Sequence, residues 1–240
     1  MARKTLIRIT EADMHHMIKE AVREAIKQQF GSCATSINKN KIARGFPYFG
    51  GTAVYKKSGK PKWKGEPVWR KGMVNVDIGG GKYDNAHEYL NKNFGATNLV
   101  FDPFSRNAEH NGKMFDTIEA NGGADTVTCF NCLNVIKEPE VRNNVIMQCS
   151  QVLKPGGKAY FQVYSDKKQL EKGGARQTGD DQWQEFRGIE TYIPEIQQHF
   201  GQVDRHGDYI IASEPLDSEI DAEWHLDGSG SNFKTMKRFR

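Results

Sequence analysis

The chain has 240 residues, 37% hydrophobic and 27% charged, with a formal net charge of +4 and a mean hydropathy of −0.70. That length suits one ordinary domain with appendages and argues against two large ones. No apolar run approaches a membrane span, so no membrane partner is expected. The basic start Met1-Ala2-Arg3-Lys4-Thr5 runs into a charged segment without a signal-peptide pattern, and four cysteines (Cys33, Cys129, Cys132, Cys149) are too few for a disulfide scaffold. A reducing cytoplasm is the expected location.

The charge is unevenly spread. Residues 1–73 carry 16 Lys/Arg and 5 Asp/Glu, against 18 and 25 in the remainder. Thr10 reads as an N-cap, and Met14, Met17, Ile18, Ala21, Val22, Ala25 and Ile26 recur at helical spacing up to Gly31. Residues 1–38 are thus predicted as an amphipathic helix whose apolar stripe needs a cover, and a dimer through it is one expectation. His15 and His16 are neighbours that point about 100° apart, so they do not share a metal. Residues 39–73 form a basic aromatic arm with loops and a short hairpin. Between Lys39 and Lys71 ten Lys/Arg are interleaved with Phe46, Tyr48, Phe49, Tyr55, Trp63 and Trp69. Basic groups neutralise phosphates and aromatic faces stack on bases, so the arm suits a nucleic-acid partner.

From Val74 the pattern alternates strand and helix. Strands are predicted at Val74–Ile78, Asn98–Asp102, Ala124–Asn131, Lys158–Tyr164 and Asp208–Ser213. Helices are predicted at Asn85–Asn93, Glu138–Leu153 and Ile193–Phe200. The fold class is therefore α/β, a Rossmann-like doubly wound, mostly parallel sheet with helices on both faces. The domain spans 74–215, followed by a tail at 216–240. Asn107–Gly123 is the weak stretch, where a further strand is expected but little apolar material exists.

The sharpest motif is Val76-Asp77-Ile78-Gly79-Gly80-Gly81-Lys82-Tyr83-Asp84 at the end of the first strand. Glycines there let the backbone turn tightly and let a ligand approach, and the next helix offers free amides. Asp102 ends the neighbouring strand, where a carboxylate can accept hydrogen bonds from ribose hydroxyls. An adenosine-type cofactor is expected across the strand tips. A dinucleotide fingerprint would need a small residue at the position of Asp84, whereas Asp77 suits a cofactor with a cationic amino-acid end. S-adenosylmethionine (SAM) is favoured over NAD. The cofactor-binding candidates are Asp77, Gly79, Gly80, Gly81, Asp84, Asp102, Pro103 and Asn131.

The Asp-x-Gly-x-Gly form resembles class I SAM-dependent methyltransferases, as does Leu153-Lys154-Pro155-Gly156-Gly157 before a strand. Val100-Phe101-Asp102-Pro103, Cys132 to Glu138 and Gln182-Trp183-Gln184-Glu185-Phe186 look like segments of methyltransferases associated with DNA phosphorothioation systems and of their phage-encoded relatives. The resemblance covers about Val74–Ser213. It implies methyl transfer in a nucleic-acid neighbourhood and, for a phage-encoded chain, a host cytoplasm. The basic N-terminal third has no counterpart in that group.

Asn131 closes the central strand beside the expected cofactor, and Trp183 and Gln184 lie in a polar segment after the Lys158–Tyr164 strand. These three are the candidate catalytic, acceptor-holding residues. Neither an Asn-Pro-Pro-Tyr motif for base amino groups nor a Pro-Cys pair for cytosine C5 is present. Cys129 and Cys132 lack a second pair at zinc spacing. Three residues apart on a strand, they are expected to face opposite sides as buried small residues, and no metal is expected. The alternative function is a catalytically silent nucleic-acid-binding protein that retains the fold.

Overall fold

The computed structural model describes residues 52–55, 61–64, 67–82, 84–179 and 182–216. The expected N-terminal helix, most of the arm and the C-terminal tail lie outside these residues. Within the arm, β1 (Thr52–Tyr55) and β2 (Pro61–Lys64) pair antiparallel, which is the hairpin read from the sequence.

In chain order the packed unit begins with β3 (Val74–Ile78), β4 (Thr97–Phe101), β5 (Ala124–Phe130) and β6 (Leu153–Gln162). A separate antiparallel hairpin follows, β7 (Ala175–Gly179) with β8 (Gln182–Glu185), and then β9 (Phe200–His206) and β10 (Tyr209–Pro215). The main sheet has the order β4-β3-β5-β6-β10-β9. The pairs β3–β4, β3–β5 and β5–β6 are parallel, while β10 is antiparallel to both its neighbours. The order reverses at β3: the chain steps outward to β4, then crosses back beyond β3 to enter β5. Such a switch point opens a crevice at the carboxyl ends of the strands.

Helices cover both faces. On one, α1 (Asn85–Phe94) brings Leu90 against Trp69 and Ala96. On the other, α2 (Ala108–Ala120) and α3 (Pro139–Gln151) bring Met114, Ile118, Val145, Ile146 and Cys149 onto Val76, Ile78, Val127 and Cys129. A short α4 (Lys167–Glu171) leads into the hairpin. The equally short α5 (Ile193–Ile196), preceded by a 3-10 turn over Ile189–Tyr192, extends the core with Tyr192 and Ile196.

Several expectations are corrected here. The stretch 107–123 holds no strand. Asn107 caps α2 by accepting from the His110 amide at 2.8 Å, and Asn111, Met114 and Ile118 give it one buried stripe. The helix expected over Ile193–Phe200 is only four residues long, because Phe200 opens the edge strand β9. That strand escapes sequence reading because after Phe200 its residues are half-buried or exposed. The segment Leu153–Gly157 belongs to β6: Ala124 pairs with Leu153 and Thr126 with Lys158, so the intervening residues bulge out of register. Finally, Trp69 is fully buried and its indole N–H donates to Thr126 Oγ1 at 2.9 Å. It is a core residue that offers no face to a base, and the packed unit takes in residues before Val74.

Candidate functional site

The turn after β3 is closed from β4. Gly79 and Gly81 have φ of 72° and 76°, a region that favours glycine because a Cβ there meets the backbone. The Gly79 amide donates to the Phe101 carbonyl at 2.8 Å, and the Gly81 amide donates to Asp102 Oδ2 at 2.9 Å. Asp102 Oδ1 also accepts from the amides of Phe104 (3.0 Å) and Ser105 (2.7 Å). Arg106, on the same turn, reaches back with Nε to the Gly81 carbonyl at 2.8 Å and with Nη2 to Asp84 Oδ1 at 2.7 Å. Both sides of the glycine turn are therefore held by residues 101–106. The Asp84 carboxylate is engaged by Arg106 and does not cap α1.

Asp77 lies within β3, just before the turn. Its Oδ1 accepts from Thr128 Oγ1 at 2.8 Å, and Oδ2 faces Gly80, where a Cβ would lie only 2.5 Å away. Burial pushes its carboxyl up to about 6, with the Thr128 hydrogen bond and Arg106 pulling down and Asp102 pushing up.

Between the strand tips, the turns that follow β4 and β5, and the helix α3 lies a cleft of about 490 Å³, measured out to its open mouth. Gly79, Asp102, Pro103 and Asn131 line it, together with Phe104, Cys132, Ile136, Val145 and Gln148 among others. The lining is largely apolar, yet the side-chain carbonyl oxygen of Gln148 is buried without a hydrogen-bond partner. A buried orphan acceptor is costly unless a ligand donor completes it.

Asn131 has φ of 54°, the left-handed region that Asn tolerates best after glycine. This reverses the chain at the end of β5 and corrects the expectation for the cysteines. Cys132 does not continue the strand alternation; it swings back beside Cys129, and the thiols of Cys132, Cys129 and Cys149 form a hydrogen-bonded row. The bond to Cys129, then burial, holds the Cys132 thiol well above its usual range. All three are free thiols, and among the described residues no cluster of His, Cys, Asp or Glu is placed to hold a metal.

The other two acceptor-holding candidates lie apart from this cleft. The polar segment that holds them forms the β7–β8 hairpin. β8 packs on the turn Leu133–Val135. Trp183 carries Lys137 over its ring at 5.2 Å, and Gln184 Nε2 donates to the adjacent Glu185 carbonyl at 2.6 Å. Trp183 Nε1 and Asn134 Oδ1 are both buried and unpartnered. The hairpin is tied down by charge. Glu195 accepts from Arg142 Nε at 2.9 Å and from Arg187 Nη2 at 3.0 Å, while Arg187 Nε donates to Glu185 Oε2 at 2.7 Å.

The structure thus gathers Asp77, Gly79, Gly80, Gly81, Asp102, Pro103 and Asn131 around one cleft and turn, and adds Arg106, Gln148 and Thr128. Arg106 carried a legible hint, four residues past Asp102 on the turn before a helix. Gln148 carried none, since its position follows from where α3 crosses the strand tips.

A family model described as a methyltransferase domain matches residues 60–210. No curated protein sequence matches the chain significantly. Among solved structures, similarity extends to an O-methyltransferase family protein from Burkholderia thailandensis (14% identity, TM-score 0.40, 61% of this chain and 52% of that one). It also extends to SAM-dependent methyltransferases from Methanosarcina mazei (13%, TM-score 0.45, 62% and 95%) and Clostridium acetobutylicum (12%, TM-score 0.39, 59% and 84%). The chain spans about half the length of the first of these.

Proposed function

The chain belongs to the methyltransferase domain family, and on that premise we propose that it is a SAM-dependent methyltransferase acting on nucleic acid or a nucleotide-like acceptor. The observation that carries the cofactor reading is the glycine turn latched by Asp102 at the mouth of an apolar cleft with one unpaired amide carbonyl. The residues fit the group. Phe104, Ile136 and Val145 offer apolar walls to a purine, and Gln148 Oε1 offers the acceptor that an exocyclic amine needs. Oδ2 of Asp102 accepts from the Gly81 amide and retains a lone pair for a ribose hydroxyl. Asp77 supplies the carboxylate for a cationic amino-acid end.

When bound, the cofactor supplies a methyl group on a sulfonium, the electrophile of an in-line displacement. The chain's own part is alignment and exclusion of water. Asn131, at the cleft rim, marks the side open to an acceptor, and β8 backs the Leu133–Val135 turn from outside the cleft. Nucleic acid is favoured by the ten Lys/Arg between Lys39 and Lys71 and by the resemblance to phosphorothioation-associated and phage-encoded methyltransferases. With Trp69 in the core, stacking falls to Phe46, Tyr48, Phe49, Tyr55 and Trp63. The second reading, a silent binder, is favoured by the burial of Trp183 Nε1 and the self-contained bond of Gln184.

Calorimetry with S-adenosylhomocysteine and NAD, together with radiolabelled methyl transfer to DNA, RNA and protein, tests these readings. Binding of the first compound alone, label in nucleic acid, and loss of label in Asp102→Ala are expected. Transfer and salt-sensitive nucleic-acid binding should fall in the triple variant Lys39→Glu, Lys41→Glu, Arg44→Glu, with cofactor binding unchanged. Cofactor binding without incorporation into any acceptor selects the silent binder.

A further inference from the structure

Strands buried on both faces of a parallel sheet are ordinarily apolar. One face of β3, β4 and β5 departs from this, presenting Asn75, Asp77, Asn98, Thr126 and Thr128 to the side covered by Trp69 and α1. Asn75, Thr126 and Thr128 are at most 3% exposed, so water does not satisfy them. Register explains how they meet, since Asn75 pairs with Asn98 and Thr126, and Asp77 pairs with Thr128.

These groups form a directed row. The indole N–H of Trp69 has no acceptor function, so Thr126 Oγ1 must receive it, at 2.9 Å. Thr126 then gives its own proton to Asn75 Oδ1 at 2.7 Å. Asn75 Nδ2 donates to Thr128 Oγ1 at 3.1 Å, and its second hydrogen goes to Asn98 Oδ1 at 2.6 Å. Thr128 is left with one proton, which it donates to Asp77 Oδ1 at 2.8 Å. Hydrogen bonds aligned head to tail polarise one another, and a row that ends in a donor favours the charged form of a carboxylate acceptor.

We propose that Trp69, Thr126, Asn75 and Thr128 are positioning residues for the cofactor: their row fixes Asp77 as an ionised acceptor with Oδ2 turned to the glycine turn, ready for the ammonium of a bound amino-acid end. This rests on the SAM reading above. Valine would fill the space of either threonine without a buried hydroxyl to satisfy, so the polar choice carries a burial cost that the charge on Asp77 explains. The other groups that act on Asp77 are Asp102 and Arg106, from the turn after β4, and the neighbouring thiols of Cys129 and Cys132.

The full-length chain and its Thr128→Val and Thr128→Ser variants are titrated calorimetrically with S-adenosylhomocysteine and with 5′-methylthioadenosine, which lacks the amino-acid end, between pH 5 and 8. Thr128→Val should weaken the first compound about tenfold and leave the second within about twofold, as expected for one lost charge-assisted hydrogen bond. The pH midpoint of homocysteine-compound binding should move upward, and Thr128→Ser should restore both. Trp69→Phe, at the remote end, should move the midpoint the same way by less. A Thr128→Val protein that matches the native chain at every pH, or that loses both compounds equally, overturns the inference alone. A native chain that binds neither compound overturns the cofactor reading as well.

Discussion

The carboxylate of Asp102 and the backbone amide of Gly81 lie 2.9 Å apart across 21 residues of chain. Because Asp102 also takes the amides of Phe104 and Ser105, a single side chain organises its own turn and the glycine turn of the neighbouring strand. Ordering both turns before a ligand arrives lowers the entropy lost on binding. Asp102→Asn presents an amide N–H2 where an acceptor is required, so one backbone donor is left facing another donor. It should cost about 2 kcal/mol of stability, measured by urea denaturation, and weaken S-adenosylhomocysteine more than tenfold by calorimetry.

Two glycine substitutions separate close approach from helix propensity. A Cβ on Gly80 would sit 2.5 Å from Asp77 Oδ2 and 2.9 Å from Val100 Cγ1, so Gly80→Ala should displace the Asp77 carboxylate and destabilise by about 1–3 kcal/mol. Gly112 lies inside α2, and a methyl group there would have nothing within 4 Å. Gly112→Ala should stabilise by about 0.5–1 kcal/mol through helix propensity alone. Thermal melts of the two variants should therefore move in opposite directions, and only Gly80→Ala should lose cofactor binding.

Asp77 sets a conflict between stability and binding. Its folded-state value of about 6 lies above the ordinary 3.8, so the folded chain holds this proton more tightly than the unfolded one. The stability it contributes is complete below the unfolded value near pH 4 and is lost as pH rises through 6, a difference on the order of 3 kcal/mol. Asp77→Asn should match the native chain at pH 4 and exceed it at pH 7, because the amide keeps an acceptor for Thr128 without burying charge. Denaturation at the two pH values checks this. Binding of S-adenosylhomocysteine should fall in the same variant, and in the native chain it should weaken as pH drops below 6.

The glycine turn, Asp102 and the first three strands of the sheet are legible in the sequence, because β3, β4 and β5 carry dense apolar residues between clear turn signals. Periodicity does not expose what depends on register. Asn75, Thr126 and Thr128 look like incidental polar residues until the strands are aligned and each falls beside the next. The edge strand β9 and the β7–β8 hairpin are largely polar, so their existence rests on backbone pairing rather than on an apolar pattern. The cysteine geometry departs from strand alternation for a local reason: the positive φ of Asn131 turns the chain one residue before Cys132.

The charged cluster behind the hairpin makes the remaining prediction. Arg142 is only 6% exposed in its side chain and divides its donors between Glu195 and the carbonyls of Ile136 and Lys137, at 2.9 and 3.0 Å. Ile136 in turn lines the cleft. Burial works against the ionised form of Glu195, but the hydrogen bonds from Arg142 and Arg187 hold it below its usual value. Glu195→Ala removes the shared carboxylate and leaves a buried guanidinium uncompensated, which should cost about 3 kcal/mol. Glu195→Gln keeps one acceptor and should cost roughly half of that. If the cluster also holds the cleft wall, both variants should weaken S-adenosylhomocysteine in the same order as they lose stability. Urea denaturation and calorimetry on the same preparations test that ranking, and a destabilised Glu195→Ala protein with native affinity would confine the cluster to holding the hairpin.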